Sequence, residues 1–233
     1  MSSSHSARYW LAGAFAFCAL LTLMLLANHP MTGAHTIAAV IQAEARDQVT
    51  DGLVHGGFIV TLCVVIVCFV FLSRALGMAR VAVAAALVAF CVGCGALMGS
   101  MIVDGFVVPA LAVRFSAMGT AAALTQAETL FILCGTLIRF LMPMGLLFQS
   151  VAMLSWSSAI VGIRGWRFAG VFGLAGGTLL TGALLAPLPR LREHVVLGAI
   201  VVIAVWYLTL AAAVCGRNGW QAASQAQQPS QLQ

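Results

Sequence analysis

Runs of about twenty consecutive apolar residues recur along this chain, each long enough to cross the roughly 30 Å hydrocarbon core of a bilayer as a helix. They lie near Trp10–Ala27, Leu53–Leu72, Val81–Val103, Thr129–Ile163, Phe168–Ala186 and Val195–Val214. A water-soluble fold could not coat so much apolar surface, because only 7% of the residues are charged and the mean hydropathy is +1.06. Soluble domains carry about a quarter charged residues. The fold class that follows is all-α: a polytopic membrane helix bundle of six transmembrane helices, with a partly helical outer loop between the first and second.

The domain plan is equally plain. A short disordered N-terminus over 1–9 and a polar, Gln-rich tail over 217–233 flank one transmembrane domain at 10–216. Neither end has the apolar content to bury a core. The fourth run is the least regular, since its 35 residues would extend about 52 Å. No polar turn divides it, so one long helix is expected, kinked at Pro143 or projecting past the membrane. Arg8 followed by an apolar core and Thr32-Gly33-Ala34 has the outline of a signal peptide, but the core is long for one and a retained helix is expected.

All eleven basic residues are arginine, scattered singly between apolar runs. That pattern forms no basic stripe and excludes nucleic acid as a partner. With both termini in the cytoplasm, Arg8, Arg74, Arg80, Arg164, Arg167 and Arg217 fall inside and Arg46, Arg114, Arg190 and Arg192 outside. This is the sense of the positive-inside rule. A chain rich in Ala, Val, Leu and Arg without Lys suits a GC-rich bacterial genome, so the expected location is the bacterial cytoplasmic membrane.

Once the spans are drawn, every acid falls on the outer side: Glu44, Asp47, Asp51, Asp104, Glu128 and Glu193. His29, His35, His55 and His194 join them, and only His5 is inside. Glu44, Asp47, Asp51 and His55 occupy about 80° of one helical face, with Asp51 and His55 as i, i+4 neighbours. Such a pair can share a metal ion, or the carboxylate can orient the imidazole. A solvated polar face balanced by Arg46 explains the same spacing. Candidate metal ligands are therefore His29, His35, Asp51, His55, Asp104 and Glu128. Arg139, within the fourth run, is a candidate structural ion-pair partner for Asp104 or Glu128.

Two further patterns concern packing. Cys91, Cys94, Met98 and Met101 share a face that a soft ion would favour, although such residues commonly fill apolar helices. All seven cysteines lie in or beside apolar runs, which reads as small buried residues rather than a disulfide framework. Gly95 with Gly99 and Gly173 with Gly177 have the GxxxG spacing that lets membrane helices approach closely.

Function follows only as far as these residues carry it. The outer histidines and carboxylates point first to a protein that binds or transports a divalent or soft transition metal ion. An accessory or sensory protein acting through its polar outer face, on a membrane partner or a second copy, uses the same surface without an ion. A membrane-embedded metal-dependent hydrolase needs about three such ligands and a water, but the paired His-x-x-x-His spacing is missing. Haem is disfavoured because no two spans carry histidines facing each other within their cores. No G-x-S-x-G or P-loop is present.

Overall fold

A computed structural model describes residues 3–30, 36–118, 120–186 and 193–216, and among these every regular element is helical. In chain order they are α1 (Ser3–Ala27), α2 (Ile37–Leu76), α3 (Val81–Ile102), a π-helical turn (Val103–Val107), α4 (Val108–Ser116), α5 (Ala121–Ile160), α6 (Arg167–Leu185) and α7 (Glu193–Cys215). Six helices, counting α3 through α4 as one, are long and apolar enough to cross a membrane. Such spans imply contact with a lipid bilayer.

The boundaries differ from expectation in informative places. Residues 3–9, expected to be part of a disordered terminus, already belong to α1. The helical part expected of the segment between the first two spans runs without a break into the second, forming α2, a continuous helix of 40 residues begun by Thr36, whose side chain accepts from the Ala39 amide. The fourth run is indeed one helix, and it starts at Ala121, where Thr120 caps it by accepting from the Ala123 amide. At 40 residues each, α2 and α5 extend about 60 Å, twice a bilayer core. Their surplus lies at one end, where α4 joins them around Ile41, Ala112, Phe115, Ala123 and Ala127. The tail over 217–233 lies outside the described residues.

The main core is aromatic. Phe69 of α2 stacks on Trp156 of α5 at 4.1 Å between ring centroids, with Phe15, Phe90, Trp206 and Tyr207 around them. These rings come from α1, α2, α3, α5 and α7, so one cluster ties five helices together. Trp156 donates its indole N–H to the Ser73 hydroxyl at 3.0 Å, satisfying a polar group that lipid could not. All seven cysteines are free, and Cys18, Cys68, Cys94 and Cys134 are buried.

Glycine sets the closest helix contacts, though not at both expected pairs. A Cβ on Gly93 would stand 2.7 Å from the Gly145 carbonyl oxygen, and one on Gly145 would stand 2.8 Å from the Gly93 carbonyl oxygen. The backbones of α3 and α5 therefore touch through one glycine from each. Gly95 faces open space, and Gly99 would meet only Leu141, at 3.5 Å. The reason is rotational: Gly95 lies about 200° around α3 from Gly93. Gly173 and Gly177 do lie in a tight seam, where side chains would strike Ser157 and Trp206, or Leu154.

Gly93→Ala is therefore expected to destabilise the bundle by about 1–3 kcal/mol, since a carbonyl cannot rotate out of the way as a side chain can. Gly95→Ala should leave stability unchanged. Thermal or SDS unfolding of the two variants in the same detergent measures the difference.

Candidate metal centre

Two helix ends and the middle of a third helix meet toward the end of the bundle where α2 and α5 run long. The first is the C-terminus of α1. Asn28 donates its side-chain amide to the Met24 carbonyl at 2.8 Å, and Pro30 prevents the helix from continuing. His29, between them, is half-buried and leaves the helix pointing at α2. The second is the stretch of α2 that carries Asp51 and His55, both buried, at 6% and 1% exposure.

The third is the π-helical turn that holds Asp104. Pro109 cannot donate to the carbonyl four residues back, that of Gly105, and its ring crowds that oxygen in a regular helix. Widening the preceding turn to π geometry accommodates the proline. The same turn carries Asp104 and presses Gly105 against His55. A Cβ on Gly105 would overlap His55 Cβ and lie 2.8 Å from its Nδ1. On the other side, Leu25 of α1 packs onto Gly57, 2.9 Å from where a Cβ would be. Two glycines thus let two helix ends close around one histidine.

The resulting polar geometry is specific. His55 Nε2 lies 3.2 Å from His29 Nε2 and 3.2 Å from Asp104 Oδ2. One ligand atom from each of the three residues falls within 4.8 Å of the others. His55 Nδ1 lies 2.9 Å from the Asp51 carbonyl oxygen, and His29 Nδ1 lies 2.9 Å from that of Pro30. A carbonyl can only accept, so each neutral ring carries its hydrogen on Nδ1. Both Nε2 lone pairs then face one another and a carboxylate oxygen. Three acceptors at this spacing repel unless a cation, whether a proton or a metal ion, lies among them.

Behind His55, the acidic face expected along α2 divides. Asp51 supports the imidazole chiefly through its backbone carbonyl, with its carboxylate 3.9 Å from Nδ1. Asp47 turns away and pairs with Arg46 at 3.0 Å on the surface.

Of the residues anticipated from sequence, the bundle brings together His29, His55 and Asp104, with Asp51 adjoining. His35 lies outside the described residues. Glu128 is exposed on α5, about 100° around the helix from buried Ala127, and is not part of the cluster. Arg139 is exposed on the same helix and forms an ion pair with neither Asp104 nor Glu128. Sequence reasoning missed Gly105, whose signal was the Asp-Gly followed by Pro109 at the end of an apolar run.

Fold and site together define a multi-pass helical membrane protein with a His/His/Asp triad that could hold a metal ion. Comparison with protein-family models, with curated proteins and with solved structures finds no match to this chain.

If Gly105 is what seats His55, Gly105→Ala should displace the imidazole even where the fold persists. The expected result is a loss of about 1–3 kcal/mol in unfolding free energy, accompanied by a shift of the His55 ring resonances in NMR spectra of the labelled protein. Gly52→Ala, whose Cβ would meet only ordinary contacts at 3.8 Å and beyond, is the control expected to change neither.

Proposed function

We propose that this chain binds, and exchanges across its membrane face, a divalent transition-metal ion of the zinc type held by His29, His55 and Asp104. The observation that carries the reading is the spacing of the donors. Zinc–nitrogen bonds of about 2.0–2.1 Å at a tetrahedral angle separate two ligand atoms by about 3.3 Å. The two edges that meet at His55 Nε2 are each 3.2 Å. The Nδ1–carbonyl hydrogen bonds are what metal-bound histidines use to fix ring orientation.

The donor set also favours one class of ion. Two imidazoles and a carboxylate suit zinc, cobalt, nickel or copper(II) more than a soft monovalent ion, which prefers sulfur. The sulfur face of α3 supplies no ligand to this cluster: Cys91 is exposed, and Cys94 accepts from the Gln149 amide at 3.4 Å. Three protein ligands leave one tetrahedral position open, as exchange of an ion or activation of a water requires. Inward of the triad, Thr22, Phe58, Thr61 and Met101 lie on the helices that lead to the three ligands and border a cavity of about 60 Å³. Its lining is almost entirely apolar and offers a divalent ion no charged ligand, so the reading rests on the triad alone. The positive-inside pattern of the arginines supports a triad on the outer face of a bacterial cytoplasmic membrane.

Titration of the purified, metal-free protein with Co²⁺ is the test. One ion per chain with the visible spectrum of a tetrahedral site is expected. His29→Ala, His55→Ala and Asp104→Ala should each weaken binding by more than the roughly 10–100-fold that second-shell changes cost. Asp51→Ala should retain one ion per chain, because Asp51 acts mainly through its backbone. Affinity should fall steeply on acidification, since the two imidazoles bind the ion only when neutral. Equal, sub-stoichiometric cobalt in all of these proteins would leave the accessory-protein reading in its place.

A further inference from the structure

Arg139 is the one arginine placed inside an apolar run of the sequence, and among the described residues it borders a groove and pairs with no carboxylate. The groove lies between α5 and the last turn of α6. Thr136, Arg139, Phe140, Pro143, Leu184 and Leu185 line it, and its volume is about 310 Å³. No acidic residue lies on α6, and the only one on α5 is Glu128, about 16 Å away along the helix. The guanidinium is exposed on a surface that the neighbouring exposed Leu137, Phe140 and Leu185 mark as facing lipid.

Its depth is set by two independent neighbours. Leu141 packs level with Gly99 of α3, so Arg139 lies within about 5 Å of the level of Asp104 along the bundle. Leu184 and Leu185 close the groove at the end of a 19-residue helix, where the hydrocarbon core of a bilayer ends. Cα–Cβ bonds tilt toward a helix N-terminus, and the N-terminus of α5 is at the triad end, so the Arg139 side chain is directed toward the headgroup layer. Pro143 has no N–H to give the Arg139 carbonyl, which leaves a second polar group of this turn without its usual helical partner.

We infer that this groove is a binding site for an anionic phospholipid of the leaflet at the triad end, with the phosphate on the Arg139 guanidinium and an acyl chain along Phe140, Leu184 and Leu185. A fixed cation with no carboxylate partner among the described residues, at headgroup depth and beside an apolar channel, is complementary to such an amphiphile. The guanidinium fork matches the phosphate oxygens two at a time. The inference stands on α5 and α6 and does not rest on the metal reading.

Native mass spectrometry of the full chain in detergent tests it, with phosphatidylglycerol and with a diacylglycerol of identical chains as probes. The wild type should hold phosphatidylglycerol at least about 10-fold more tightly than diacylglycerol, the scale of a charge-assisted hydrogen-bonded pair. Arg139→Gln should abolish that preference and Arg139→Lys should keep part of it. Leu185→Trp, a change at an exposed position that fills the channel, should weaken both lipids while leaving the charge in place. Inorganic phosphate should fail to displace the lipid. Unaltered preference in Arg139→Gln, or displacement by phosphate at concentrations matching the lipid, overturns the inference. Cobalt binding by Arg139→Gln should equal that of the wild type.

Discussion

A chain with this little charge, folded in a solvent that cannot hydrate ions, must bring each buried ionisable group to a partner or leave it at an edge. His55 is the point at which that constraint is most acute. It is almost completely buried, it belongs to the longest kind of helix in the bundle, and its two ring nitrogens face opposite demands. One is held by a backbone carbonyl; the other is turned toward a second imidazole and a carboxylate. The ends of α1 and of the π-helical turn are shaped to meet that nitrogen, and their shapes come from prolines placed just beyond His29 and Asp104. The glycines at 57 and 105 supply the necessary closeness.

The rest of the bundle makes the site possible by being rigid. Membrane helices gain little from the hydrophobic effect against one another and depend on close packing. Here packing is provided by the aromatic cluster around Phe69 and Trp156 and by the backbone contact of Gly93 with Gly145. Beyond the apolar core, the long ends of α2 and α5 and the short α4 form a second small core. The triad lies between these two cores. A ligand set held on one continuous helix and two helix ends, braced from both sides, keeps its spacing, which a metal site needs and a solvated acidic face does not.

Much of this was legible in the sequence, and the limits were physical. Run length alone located the six spans, because a bilayer imposes a length and excludes charge. The concentration of acids and imidazoles at one end was also visible once the spans were drawn. What could not be read was convergence. His29, His55 and Asp104 are separated by 26 and 49 residues, and only tertiary packing selects them over Glu128, which has the same chemistry one face away. The GxxxG spacing at Gly95 and Gly99 misplaced the close contact on α3, since α3 and α5 touch through one glycine each and the motif counts two on one helix. The short α4 was hidden because the third apolar run ends at Val103, whereas the chain stays helical past Asp104 through a π turn that accommodates Pro109.

The central claim is that two imidazoles and a carboxylate form a coordination sphere. X-ray absorption at the zinc edge of the protein loaded with one equivalent of zinc addresses it most directly. The account predicts a shell of nitrogen and oxygen donors at about 2.0–2.2 Å with the outer scattering of two imidazole rings, both rings lost stepwise in His29→Ala and His55→Ala. Sulfur scattering at about 2.3 Å, or zinc that is lost on simple dialysis and shows no imidazole signature, would contradict it.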